Sequence, residues 1–128
     1  MTRINKDTKI GNSNTKLESL IPYVLYDNSS GTTSNIPLSD NINNYSYIEI
    51  YYRTNDGTKF QNCVKTKVES LIVASLVYNY YYLVMYTKIA IVQLTNSSLN
   101  FLSNTETYNG GNYSSGNFIY VTKVIGYK

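Results

Sequence analysis

The chain has 128 residues, a net charge of +3 and only 15% charged residues, which is long enough for one domain with a real core. It contains 15 Tyr, no Trp and no His, so the usual general base and commonest metal ligand is missing. Its charges form no block, which argues against nucleic acid, and the lone Cys63 rules out an intrachain disulfide.

No apolar segment follows a basic start, so the expectation is a protein made in a reducing cytoplasm without a Sec signal peptide. Asn, Tyr, Ile and Lys have AT-rich codons, so base composition accounts for part of the tyrosine and asparagine abundance. Residues 1–22 are polar and read as a short N-terminal arm. Within them Lys16-Leu17-Glu18-Ser19-Leu20-Ile21 fits either one helical turn or an extended segment.

From residue 23 to residue 128 nearly everything reads as strand and turn. Residues 23–27 form a strand, followed by a turn at Asn28-Ser29-Ser30-Gly31. Residues 35–39 contain Pro37 and read as an edge or strand end. Residues 45–54 alternate clearly: Ser46, Ile48, Ile50 and Tyr52 on one face, Tyr47, Glu49, Tyr51 and Arg53 on the other. Asn55-Asp56-Gly57 is a hairpin turn, and residues 59–67 return from it. Cys63 on that strand has no His to activate it and reads as a buried, inert thiol.

Residues 70–87 carry no charge and are long enough to span a bilayer. Their mid-span tyrosines and Asn79 favour two strands instead, at 71–77 and 80–87, because membrane tyrosines prefer the interfaces. No membrane insertion is expected. Residues 88–95 have apolar side chains on both parities and read as a central strand covered on both faces. Further strands are expected at 99–105 and 117–128, separated by a Gly- and Asn-rich loop at 108–116. About eight short strands without a helix predict an all-β fold: a single β-sandwich or jelly-roll-like head carrying the short arm.

Catalysis finds little support. Asp27, Asp40, Glu49, Asp56, Glu69 and Glu106 are scattered, and only spatial convergence would pair two for glycoside hydrolysis. Three of them (Asp27, Asp40, Asp56) sit beside turn residues, where Asp bonds its own backbone. No phosphate loop, Cys/His cluster or nucleophile motif is present, so no enzyme activity, metal or cofactor is expected.

Binding is better supported, because Tyr offers a rigid apolar face and a hydroxyl at low entropic cost. An 80–87 strand would place Tyr80, Tyr82 and Tyr86 on one surface, opposite a core-like set of Tyr81, Leu83, Met85 and Thr87. The tyrosine surface suits packing, a subunit interface or a sugar ring, with packing or interface first because aromatic stripes are usually buried. A second candidate is the loop with Tyr108, Asn109, Asn112 and Tyr113, unless it is only a hairpin tip.

Three stretches carry a resemblance: Val24-Leu25-Tyr26-Asp27-Asn28-Ser29-Ser30-Gly31-Thr32, Asn44-Tyr45-Ser46-Tyr47-Ile48-Glu49-Ile50-Tyr51-Tyr52-Arg53, and Ile119-Tyr120-Val121-Thr122-Lys123-Val124-Ile125-Gly126-Tyr127-Lys128. Together they resemble the C-terminal head module of tail-fibre and receptor-binding proteins of tailed bacteriophages. The resemblance covers residues 23–128, strongest at the ends and weak over 60–115. It implies an all-β tip that forms a homotrimer, contacts bacterial surface glycan, and belongs to a virion released by lysis. It supplies no catalytic residue. With no shaft before the head, residues 1–22 are expected to dock onto another virion protein or bundle at a threefold axis. The alternatives are a purely structural virion decoration and a bacterial carbohydrate-binding or adhesion domain.

Overall fold

The computed structural model describes residues 20–65, 70–109, 111 and 113–128. Most of the expected arm, residues 1–19, lies outside them. In chain order the strands are β1 (Tyr23–Thr32), β2 (Ile36–Pro37), β3 (Tyr47–Thr54), β4 (Lys59–Val64), β5 (Leu71–Asn79), β6 (Val84–Leu94), β7 (Ser98–Tyr108), β8 (Tyr113–Ser115) and β9 (Ile119–Tyr127). A 3-10 turn, Ile42–Asn44, precedes β3. The first sheet has the order β1-β9-β3-β4, and the second β2-β7-β6-β5 with β8 on β7. Every pairing is antiparallel, and the two sheets face each other as a β-sandwich.

The alternation expected of 45–54 is what packs the first sheet. Ile48, Ile50, Tyr52 and Thr54 are buried, while Tyr47, Glu49, Tyr51 and Arg53 form the half-buried outer face. Opposite them the second sheet buries Val73, Ala90, Val92, Leu94 and Leu99. The terminal strand is central: β9 lies between β1 and β3 and buries Ile119, Val121 and Val124. Each such side chain contributes roughly 1.5–3 kcal/mol by leaving water.

A close approach fixes the end of β9. A Cβ on Gly126 would lie 2.5 Å from Cδ1 of Tyr45, so the absent side chain is what lets that ring lie on the strand. Tyr45 then donates to Asp40 at 2.7 Å, with the Lys128 ammonium over its ring at 5.9 Å.

Several local expectations are corrected. The 28–31 turn is a bulge inside β1: five steps along β1, from Asp27 to Thr32, oppose two along β9, from Lys123 to Val121. Gly31 there has φ +81, and a Cβ on it would lie 2.7 Å from Cβ of Tyr120. Residues 80–87 do not form a strand of their own. Tyr80 to Leu83 make the β5–β6 turn, and β6 then runs unbroken from Val84 to Leu94. The Asn79 Oδ1 accepts from the amides of Tyr81 and Tyr82, and Leu83 takes φ 51, which overrides the strand preference of the tyrosines.

As a result, Tyr81, Leu83 and Met85 are exposed and Val84 is buried, the reverse of the expected core parity. On β6 only one parity is fully buried, with Ile89 and Ile91 half-exposed behind it. Cys63 is exposed, because β4 turns Phe60, Asn62 and Val64 inward and leaves the other parity outside. The expected return strand ends at Val64, and the loop at 108–116 contains β8.

Candidate functional site

The second sheet extends beyond the apolar core at the end where β5 turns into β6, and the inward side chains change character there. Along β6 the buried parity runs Leu94, Val92, Ala90 and then Lys88, whose side chain is 5% exposed. A buried ammonium must be paired to be tolerated. Lys88 Nζ donates to Asn55 Oδ1 at 2.5 Å and lies 3.6 Å from Asp56 Oδ2 and 3.8 Å from Glu106 Oε2.

Two local features deliver those partners. Glu106 is the cross-strand neighbour of Lys88 on β7. Asn55 and Asp56 come from the Asp-Gly hairpin of the opposite sheet, which is held by Gly57 N donating to Thr54 O at 3.0 Å and Asn55 N to Phe118 O at 2.9 Å. The Asp56 carboxylate accepts from the Thr54 hydroxyl and the Thr58 amide. Burial pushes the Asp56 pKa up, but those two bonds and the Lys88 charge outweigh it and hold the group below the usual carboxylate value.

Past this charged floor lies a groove of about 540 Å³, lined by Asp56, Lys88, Glu106, Val77 and Asn79 and walled by Tyr78, Tyr80, Tyr81 and Tyr86. Tyr80 and Tyr81 meet edge to face at 6.0 Å, and Tyr86 and Tyr108 at 5.6 Å. Tyr81 is 91% exposed, so this wall is an open aromatic surface.

The structure therefore brings together part of the expected set. Tyr80 and Tyr86 line one groove, with Tyr108 packed against Tyr86, although Tyr80 reaches it from a turn. Tyr82 is 76% exposed on the same turn and does not line the groove. Asn109, with φ 46, serves the backbone: its amide donates to Met85 O at 2.8 Å, and its Oδ1 accepts from Met85 N at 2.9 Å. Asn112 lies outside the described residues, and Tyr113 opens β8. The sequence reading missed Tyr78, Tyr81 and the whole charged floor. One signal existed: Lys88 shares its parity with Ala90, Val92 and Leu94, an unusual place for an ammonium.

Chemically, the groove offers aromatic faces for an apolar ring surface beside carboxylates that accept hydroxyl protons. Among the described residues no three His, Cys, Asp or Glu side chains converge to hold a metal. No helix of the described residues is long and apolar enough to cross a membrane. No protein-family model and no curated protein sequence matches the chain.

Proposed function

We propose that this chain is the head of a bacteriophage tail appendage that recognises host-surface carbohydrate. The supporting observation is the groove: four tyrosine side chains around a floor of two carboxylates and an ammonium. Sugar rings present apolar C–H faces ringed by hydroxyls, and rigid aromatic walls with a few fixed polar groups suit both. In this reading the groove binds its sugar without cleaving it.

The head acts as a homotrimer, and residues 1–22 attach it to another virion protein. Self-association is supported by the outer face of the second sheet. Among the described residues, Ile72, Leu76, Met85 and Leu102 are large apolar side chains exposed on that face. Every outward side chain of β5 and β6 is uncharged. An exposed apolar face without charge suits an interaction surface. A decoration protein would share that face but would have no use for the open groove.

The test pairs a glycan panel with light scattering. The parent chain is expected to bind neutral bacterial surface oligosaccharides and to run as a trimer. Tyr80→Ser with Tyr81→Ser should abolish binding and leave the mass unchanged, while Ile72→Lys with Leu76→Lys should give monomers. Undiminished glycan binding by the tyrosine variant overturns the groove, and a monomeric parent overturns the trimer.

A further inference from the structure

On the opposite side of the sandwich, the outer face of the first sheet forms a trough of about 570 Å³ across all four of its strands. Its lining gathers three of the chain's 11 cationic side chains: Arg53 from β3, Lys59 from β4 and Lys123 from β9. Arg53 and Lys59 are direct cross-strand partners, and Lys123 stands opposite Tyr51 on the other side of β3. Like charges set directly opposite each other destabilise a sheet pair. Asp27 is the acid in the lining and pairs in register with Lys123, yet no carboxylate of the described residues lies within 4.0 Å of any of the three cations. Glu49, on the same outer face, accepts from the hydroxyls of Tyr51 at 2.9 Å and Tyr127 at 3.1 Å.

Arg53 is also fixed in place. Its Nε donates to Ser30 O at 2.8 Å, Nη2 donates to the same oxygen, and Nη1 donates to Thr54 O at 3.2 Å. Its guanidinium lies 4.0 Å over the Tyr120 ring. The β1 bulge supplies Ser30, and Gly31 leaves room for the stack. Three bonds leave two of the five guanidinium N–H groups to donate, at no further ordering cost. Gln61 adds an amide at the same trough.

We infer that this trough is a second binding site, for an anionic group, either a carboxylate or a phosphodiester, which on the host-surface reading above is carried by a glycopolymer. Arg53 supplies the fixed directional donor, and Lys59 and Lys123 supply charge that an incoming anion neutralises. Arg53 and Lys59, with no carboxylate of the described residues within 4.0 Å, are then a like-charged pair that ligand binding neutralises. The inference is independent of the tyrosine groove, which lies on the other sheet.

The experiment titrates the full-length, isotope-labelled chain by NMR with oligogalacturonate, with a glycerol-phosphate oligomer, and with a neutral oligosaccharide. At least one anionic oligomer should shift the Arg53 and Gln61 side-chain signals together with the Lys59 and Lys123 amides. The neutral one should leave them unmoved. Which anion binds more tightly separates the carboxylate source from the phosphate source. Lys59→Glu or Lys123→Glu should each weaken binding by about tenfold or more. Lys65→Glu, at an exposed lysine outside the trough, should leave it unchanged. The inference is overturned if neither anion shifts the trough signals at low salt. It is equally overturned if Lys65→Glu weakens binding as much as Lys59→Glu, since the attraction would then be diffuse.

Discussion

Replacing Lys88 with Met keeps most of the side-chain volume and removes the one charge that neutralises the floor of the groove. Asn55 loses its 2.5 Å bond, and Asp56 and Glu106 lose an ammonium at 3.6 and 3.8 Å. Breaking a buried ion pair by removing one partner costs about 3–5 kcal/mol, because the other charge stays buried and unpaired. Here the orphaned carboxylates are 36% and 20% exposed, so water recovers part of that loss. The expected destabilisation is therefore about 2–3 kcal/mol, or roughly 10 °C in Tm for a domain of this size. Urea and thermal unfolding followed by circular dichroism measure it directly. Adding Glu106→Gln should restore part of the stability, since removing opposite charges together is far milder than removing one. A loss below about 0.5 kcal/mol for Lys88→Met would refute the reasoning, because that is the scale of an ordinary surface substitution.

Other consequences concern the core and its rim. Gly126→Ala should destabilise by about 1–3 kcal/mol through its collision with the Tyr45 ring, and the loss should vanish in a Tyr45→Ala background; urea midpoints for the four chains decide it. The buried Tyr52 hydroxyl has no hydrogen-bond partner among the described residues, so Tyr52→Phe should be neutral or stabilise by up to about 1 kcal/mol, and a clear loss in thermal unfolding would reveal a partner. Acid should weaken the fold. Bonds from Tyr45 and the Asn41 amide hold Asp40 below 3.8, and Asp56 is held down as described, so their contribution is full above about pH 4 and lost as pH falls through the lowered values. In alkali, Tyr45 and Tyr127 are pushed up to about 12, mainly by burial and then by donating to Asp40 and Glu49. The unfolded chain gives up these protons near pH 10 and the folded chain keeps them, so stability should decline between pH 10 and 12 in a pH-stepped denaturation series.

The sheet framework was legible where period-two alternation met a turn with its own chemistry. Residues 45–54 and the Asp-Gly hairpin gave β3, its buried parity and its return strand, because side-chain alternation and turn geometry are both local properties. The terminal strand was legible from its β-branched and aromatic run, although only tertiary structure shows it to be central. The tyrosine segment failed for a physical reason. Strand preference is a property of packing, and Asn79 capping the amides of Tyr81 and Tyr82 outweighed it in a segment with nothing to pack against. The groove was only half visible. Its tyrosines stand out in the sequence, but its floor joins residues 55, 56, 88 and 106 through the approach of two sheets, which no local pattern encodes. Lys88 on an apolar parity was the available clue, and the need to neutralise it points to carboxylates from elsewhere in the chain.

The proposed sugar site in the tyrosine groove can be tested at its own side chains. Ring signals of a chain carrying isotope-labelled tyrosine, followed during titration with a neutral oligosaccharide bound in the glycan panel, test this most directly. Tyr78, Tyr80, Tyr81 and Tyr86 are expected to shift together while Tyr47, Tyr51 and Tyr127 on the opposite sheet stay still. Shifts confined to that opposite sheet, or bound sugar with every groove tyrosine unmoved, would contradict it.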